Sequence, residues 1–239
     1  MKDLPKEVIE LIFDMLDLKS QIMFFSISTK YKYLCQYFRI KRNVIVNNIN
    51  VYYYNALTNI TINTLLAKYP KNLRVLKFDD RFNQPIKDHK LPNVTKLIFG
   101  WRFNQSIKKS IPDTVRYLEF GNEFDQSIKF LPPLLTHLIF GFFFNKSIKN
   151  RIPLTVKYLV FGDRFNHPVC DLNNEFIPRT IEYLKFGSNF NQSIKNLTFD
   201  LKSLTVHRSF YLKNEHDISS KKIKKLKVIN MEKYIFILF

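Results

Sequence analysis

Residues able to carry catalysis or hold a metal recur in this 239-residue sequence, but they form no catalytic or ligand pattern. One serine recurs in the same local phrase without a nucleophile–base pair around it. The four copies are Ser106, Ser127, Ser147 and Ser193, and the histidines, which show no metal-ligand spacing, are His89, His137, His167, His207 and His216. Cys35 and Cys170 lie in different parts of the chain, as expected of a reduced, cytosolic protein. We expect no catalytic residue, no metal site and no cofactor.

Lysine also recurs, and lysine binds phosphate. The lysine ladder consists of Lys87, Lys108, Lys129, Lys149 and Lys195. With a formal charge of +18, it suggests nucleic-acid binding. However, Lys, Asn, Ile, Phe and Tyr are all abundant while Ala and Gly are scarce, which is typical of an AT-rich coding sequence. We favour a solvated edge that prevents edge pairing of strands, with nucleic acid as the weaker alternative.

The elements that position these side chains are set by an internal repeat. The phrase Leu-x-Phe starts six times, 20 to 25 residues apart, at Leu76, Leu97, Leu118, Leu138, Leu159 and Leu184. Its period of two predicts a short strand with one apolar face. One repeat is too short to bury its own side chains, so the coils must stack into a solenoid.

Three further positions of the repeat have restricted residue types. All five glycines occupy one position, with Asp79 in the first copy, and this predicts positive φ at a turn after each strand. The glycines are Gly100, Gly121, Gly141, Gly162 and Gly187. A second Phe follows each turn, and Phe124 should be enclosed by Phe103 and Phe144. The next residue is Asn in five copies and Asp125 in the third, and we expect it to bond turn backbone within and between coils.

The repeated phrase resembles the FNIP repeat, which is related to leucine-rich repeats. Residues 82–86 (FNQPI) and 165–169 (FNHPV) carry the likeness best, and it extends over residues 70 to 206. The resemblance implies a leucine-rich-repeat-like solenoid of the kind found in social amoebae and giant DNA viruses. Residues 204–206 and 226–228 look like degraded copies, so residues 207–239 should cap the solenoid, with 234–239 packed on that end.

The first 40 residues lack the repeat and show helical spacing. Asp3 is a candidate N-cap, with Pro5 in the first turn. An apolar stripe follows, formed by Val8, Ile9, Ile12, Phe13 and Leu16, and Ser20 is a candidate cap for a second helix. Residues 41–70 are predicted to connect this segment to the solenoid and cap it, with a helix over Leu57 to Tyr69.

Residues 4–17 and 27–34 resemble the opening and close of an F-box, except that Tyr31 stands where Trp is usual. This resemblance implies docking to the Skp adaptor of a cullin–RING ubiquitin ligase. The adaptor-binding residues would be Leu4, Pro5, Ile9, Ile12 and Leu16. Alternatively, the same stripe packs on Tyr31, Leu34 and the first coil.

A partner surface is predicted on the strand side of the solenoid, at the residues that flank the inward Leu. Tyrosine-rich surfaces with apolar neighbours are favoured at protein interfaces, although tyrosine also has high strand propensity. The candidate partner-binding residues are Tyr117, His137, Tyr158, Tyr183, Ile98, Ile139 and Trp101. Trp101 is expected to extend the surface at the turn after the strand, together with Phe142 and Phe143.

The sequence therefore predicts an α+β protein: a helical F-box (1–40), a helical connector (41–70), about six FNIP-type coils (71–206) and a C-terminal cap (207–239). The expected function is a non-enzymatic, substrate-recruiting adaptor of a Skp/cullin/RING ubiquitin ligase, a monomer within that complex. The alternatives are an interaction scaffold outside any ligase and a basic nucleic-acid-binding solenoid. No apolar run approaches a membrane span and no signal core is present, so we expect a cytoplasmic or nuclear location.

Overall fold

The computed structural model describes residues 6–17, 20–21, 40–45, 57–172, 175–198, 200–230 and 234–238. Two helices lie in these ranges, α1 (Lys6–Met15) and α2 (Arg208–Ser219), and neither is long and apolar enough to cross a membrane. The strands are β1 (Ile40–Ile45), β2 (Leu57–Ile62), β3 (Val75–Phe78), β4 (Lys96–Ile98), β5 (Tyr117–Glu119), β6 (His137–Ile139), β7 (Tyr158–Val160), β8 (Tyr183–Lys185), β9 (Asp200–Leu201), β10 (Ser203–His207), β11 (Lys222–Ile223), β12 (Lys225–Ile229) and β13 (Tyr234–Leu238).

One long sheet contains eleven of these strands, in the order β1-β2-β3-β4-β5-β6-β7-β8-β10-β12-β13. Neighbours are parallel except β12 and β13, which are antiparallel. The repeated leucines are in register, so that Leu97 pairs with Leu118 and Leu118 with Leu138. The predicted strand of each coil is therefore confirmed, and the fold is a β-solenoid with few helices.

The predicted C-terminal copies also join this sheet. Leu204 of β10 pairs with Leu184, and Leu226 of β12 pairs with Leu204. Strand β13 then pairs along β12, so residues 234–238 lie against this end as expected. His207 stands at the position that a sixth glycine of the series would occupy, and helix α2 begins directly after it. The His207 side chain caps this helix by accepting a hydrogen bond from the backbone N–H of Ser209.

Two rows of phenylalanine fill the interior. The Phe124 ring lies 6.1 Å from the rings of both Phe103 and Phe144, as predicted, and 3.8 Å from Phe120 of its own coil. Each such side chain, when fully buried, contributes about 1.5–3 kcal/mol to folding. The rows end at Phe210 of α2, whose ring is 5.1 Å from that of Phe190.

The prediction that the repeated glycines have positive φ is wrong, since none of the five does. They allow adjacent coils to approach. A Cβ on Gly121 would lie 1.8 Å from the carbonyl oxygen of Gly100, and a Cβ on Gly100 would lie 1.9 Å from that of Asp79. Positive φ occurs instead at Asp88, Lys109 and Asn150, in the turns that follow the lysine ladder.

The asparagine ladder bonds one coil to the next. The Asn83 side-chain oxygen accepts from the backbone N–H of Asn104 at 2.9 Å, and the Asn104 oxygen accepts from that of Asp125 at 3.0 Å. Asp125 and Asn145 repeat the arrangement for the following coils. These side chains therefore satisfy turn backbone groups between coils, as expected.

The helix predicted over Leu57 to Tyr69 is wrong, because residues 57–62 form β2 and residues 63–70 form bends and irregular backbone. Ile60 and Ile62 take the places of the repeated Leu and Phe and pair with Leu76 and Phe78. Their β-branched side chains, with Thr61 between them, favour a strand. The stacked strands thus begin before residue 71.

The N-terminal helix is confirmed over Lys6–Met15. Several predictions concern residues outside the described ranges: Asp3 as N-cap, Leu4 and Pro5 as adaptor contacts, and Tyr31 and Leu34 as packing partners. The second predicted helix lies outside them too, except for residues 20 and 21.

Candidate protein-binding face

The outer face of the sheet is built from the residues on either side of each inward leucine. Alternation along a strand turns these side chains away from the core, as at Tyr158 and Val160, which flank the buried Leu159. Parallel pairing in register places equivalent residues of successive coils side by side. Each repeated position therefore forms a row across the face.

The row before the leucines is an aromatic ladder, defined as Tyr117, His137, Tyr158 and Tyr183. The centroids of Tyr117 and His137 are 5.6 Å apart, those of His137 and Tyr158 are 5.5 Å apart, and those of Tyr158 and Tyr183 are 5.6 Å apart. The Lys96 ammonium lies 3.9 Å from the Tyr117 centroid and extends this row through a cation–π contact. The structure thus brings four of the predicted partner-binding residues together.

The row between Leu and Phe contains two more predicted residues, Ile98 and Ile139, which pair with Glu119 from either side and are partly exposed. The Tyr117 hydroxyl donates to a Glu119 carboxylate oxygen at 2.7 Å. Burial of the phenol, and then the hydrogen bond to this carboxylate, raise the Tyr117 pKa well above its usual range. The hydroxyl therefore remains a donor, which fixes the ring at one end of the ladder.

A groove of about 590 Å³ opens at the C-terminal end of the same face. It is lined by Tyr158, Leu159, Val160, Tyr183, Leu184, Lys185, Lys202, Ser203, Thr205, Lys225, Lys227 and Ile229. At its rim, Glu182 binds Lys157 at 3.3 Å and Lys202 at 2.5 Å, and these hydrogen bonds lower the Glu182 pKa. Sequence reasoning missed the lining residues of β10 and β12, although they continue the two outer rows.

Trp101, predicted to extend this face from the turn after the strand, follows Gly100 and lies at that turn. Its side chain is 54% exposed, and no ring contact in the described part of the chain joins it to the aromatic ladder. Phe142 and Phe143 stand at the corresponding turn of β6, where the Arg164 guanidinium lies 4.7 Å from the Phe143 centroid. The turn aromatics are thus a separate patch.

The lysine ladder is exposed but does not form a continuous positive stripe. Between Lys149 and Lys195 the repeat has Cys170, and Asp171 beside it binds the Lys149 ammonium at 3.3 Å. The recurring serines serve the turns here, since Ser193 accepts from the backbone N–H of Lys195 at 3.2 Å. Within the described ranges, no group of three or more His, Cys, Asp or Glu side chains is placed to hold a metal ion.

The apolar stripe of α1 divides between the core and the surface. Phe13 is buried and Ile9 packs partly against the core, whereas Ile12 is exposed and Leu16 is half-buried. Two exposed side chains that the predicted stripe omitted are Leu11 (68%) and Met15 (80%). Leu11 lies three residues after Val8 and Met15 three residues after Ile12, and this helical spacing is the signal that identifies them.

Comparison with known proteins agrees with the repeat. One solved structure with a similar fold is that of CroV588, described as a novel circular LRR protein, with a TM-score of 0.59 and 36% identity over 65% of this chain. The match covers 24% of CroV588, so this chain spans about a quarter of its length. A search of the curated proteins found no match.

The FNIP Repeat profile matches residues 59–102, 92–122, 103–143 and 144–189. The first match includes residues 59–62 of β2, in agreement with the strand that the structure places there. Together the matches span more than half of the 239 residues and contain the aromatic ladder. The chain therefore belongs to the FNIP repeat family.

Proposed function

We propose that the protein recruits a target protein through the outer face of its solenoid, without a chemical step of its own. The observation that supports this most is the aromatic ladder, in which four ring side chains stand 5.5 to 5.6 Å apart on a regular sheet. Tyrosine offers a large apolar surface with a polar tip, and it loses little side-chain entropy when a partner covers it. Side chains of this kind dominate the binding energy of protein interfaces.

Stacking also prepares the ladder for binding. Each internal ring is held between two neighbours, so its orientation is largely fixed before a partner arrives, and this reduces the entropy cost of association. Ile98, Ile139 and Val160 supply apolar surface next to the rings. Glu119 and Lys96 provide polar groups at one end, which resembles the polar rim of an interface.

The test is capture of target proteins on the immobilised full chain from lysate treated with nuclease. Replacing Tyr158 and Tyr183 by Ser should remove the specifically captured proteins, because each lost anchor costs ~2 kcal/mol or more. The matched control replaces Lys108 and Lys129, on another side of the coils, by Ser and should leave capture unchanged. An unchanged set of proteins on the tyrosine variant would contradict recognition by this face.

The proposal also assigns α1 to a Skp-type adaptor of a cullin–RING ubiquitin ligase. Support comes from the F-box resemblance of residues 4–17 and 27–34 together with the exposed apolar residues of α1: Val8, Leu11, Ile12 and Met15. Amphipathic helices dock through residues at i, i+3, i+4 and i+7, and these four have that spacing. A scaffold outside any ligase would use the same solenoid face without this helix.

Binding of purified Skp-type adaptor to the full chain tests the assignment of α1. Ile12→Glu should abolish adaptor binding, since it places a charge in an apolar contact, while capture of the target should persist. Tyr183→Ser should have the opposite pattern and serves as the control. If adaptor binds equally well to wild type and Ile12→Glu, or to neither, the ligase assignment fails and the recognition face stands unaffected.

A nucleic-acid-binding solenoid is less well supported. Its best surface, the lysine ladder, is interrupted at Cys170 and Asp171. The ring faces within the aromatic ladder are occupied by one another, so successive bases would have few faces on which to stack.

A further inference from the structure

The two ends of the aromatic ladder differ. At the Tyr117 end, the Lys96 ammonium covers the ring at 3.9 Å. At the other end, the residue in register with Tyr183 is Ser203, which is too small to cover a ring. Among the described residues, no ring or cation stacks on the side of Tyr183 that faces Ser203, and Tyr183 is one of the exposed large side chains. The ladder is thus incomplete at this end.

The groove lies where the ladder is incomplete. It continues from Tyr183 across Ser203 and Thr205 of β10 to Lys227 and Ile229 of β12. This arrangement leaves a place one strand wide, ~4.8 Å, beside the ring of Tyr183. That width suits one planar group stacked on Tyr183, as each ring of the ladder stacks on the next.

The groove is positively charged. Lys185 and Lys227 line it, and within the described ranges neither forms an ion pair. Lys202 and Lys225 also line it, and the Glu182 carboxylate at its rim is already bound by Lys157 and Lys202. A cationic side chain such as arginine would be repelled here, whereas carboxylates would be attracted.

We infer that this groove binds an acidic peptide segment of the target protein, with one aromatic side chain stacked on Tyr183 over Ser203 and carboxylates paired with Lys185 and Lys227. The two lysines lie two strands apart, ~10 Å, which carboxylates within about three residues of each other on an extended segment can span. The inference rests on the proposed function and names the chemistry of the partner. Single-stranded nucleic acid fits less well, because the groove offers one free ring face rather than several.

The experiment selects binders to the full chain from a displayed library of random peptides at physiological salt. The expected consensus has one Phe, Tyr or Trp with at least two Asp or Glu within about three residues. A selected peptide, measured by fluorescence anisotropy, should lose ~10-fold or more in affinity for Ser203→Tyr, because the chain's own ring then fills the place. Ser203→Ala is the matched control and should bind as wild type does.

Charge exchange gives a second measurement that does not depend on Ser203. Lys185→Glu with Lys227→Glu should weaken the selected peptide ~10-fold or more. A copy of that peptide with lysines in place of its acids should bind this variant better than it binds wild type. If the acidic peptide binds the variant more weakly but the lysine copy does not bind it better than wild type, the ion pairs assigned to Lys185 and Lys227 are overturned.

The remaining outcomes separate this inference from the proposed function. Selected peptides that bind Ser203→Tyr normally but depend on Tyr117 and His137 would overturn the groove and leave the recognition face in place. An absence of selected peptides, or a preference for basic ones, would also overturn the inference. If generic oligonucleotides compete with the selected peptide for the groove at physiological salt, the ligand of the groove is nucleic acid and the inference of an acidic peptide is overturned. The target capture on the Tyr158 and Tyr183 variant decides the proposed function separately.

Discussion

Single residues set how closely the coils stack, and glycine is the clearest case. The position requires the absence of a Cβ rather than an unusual φ, because the carbonyl oxygen of the preceding coil occupies that space. In the sequence, a glycine needed for a left-handed turn and a glycine needed for close approach look the same. The position was therefore predictable, whereas its cause required the spacing between coils.

Replacing Gly121 by Ala tests close approach. The new Cβ would lie 1.8 Å from the Gly100 carbonyl oxygen, so two coils must separate, and overpacking of this kind costs ~1–3 kcal/mol or more. Chemical denaturation measures the free energy of unfolding. The control Arg102→Ala, at an exposed turn residue, should change it by less than ~0.5 kcal/mol. Equal stability of both variants would show that the coils are not in such contact.

At the scale of the coil, the Leu-x-Phe strand was predictable because its period of two and its fixed spacing both point to the same stacked structure. β2 was missed because Ile60-Thr61-Ile62 carries neither the Phe nor the Gly of the repeat, although its side chains occupy the same places. The groove was missed for a related reason. Its defining residue, Ser203, is informative only once β10 is known to pair with β8.

Truncation of one phenylalanine tests the stacking of coils. Phe124 is fully buried between Phe103 and Phe144, so Phe124→Ala should cost ~3–5 kcal/mol through lost contacts and a cavity. The control is Phe143→Ala, in which a partly exposed ring is removed from the next coil's turn, and it should cost considerably less. A thermal melt compares the two. Similar small shifts for both variants would contradict enclosed phenylalanine rows.

A helix, rather than another coil, closes the phenylalanine rows on their C-terminal side. Helix α2 starts where the glycine series stops, and Phe210 covers the last phenylalanines of the rows. Terminal elements of this kind are required because an open solenoid would otherwise expose its last coil. The sequence indicated a cap in residues 207–239, but the placement of Phe210 depends on the packing of α2.

At the scale of the whole molecule, the chain presents chemically different surfaces: the aromatic ladder with its groove, the turn aromatics, the lysine ladder and the exposed residues of α1. The net charge of +18 is therefore a poor guide to function by itself. Several of the basic groups hold acidic partners of their own, such as Lys149 with Asp171 and Lys202 with Glu182. The aromatic ladder combines regular spacing with fixed geometry, and this makes it the better candidate for recognition.

The dependence of binding on salt tests most directly whether the sheet face or the lysine ladder is the recognition surface. Affinity for a target protein captured through the aromatic ladder should fall only mildly with salt, as expected of the two ion pairs proposed for Lys185 and Lys227, and it should be lost on replacing Tyr158 and Tyr183. Generic single- and double-stranded nucleic acid should bind weakly and dissociate near physiological salt, with a log–log slope that falls by ~0.7–0.9 for each phosphate contact removed. The control variant changes Lys108, Lys129 and Lys149 to Gln. Nucleic-acid binding that persists tightly at physiological salt and disappears in that lysine variant would contradict protein recognition by the aromatic ladder.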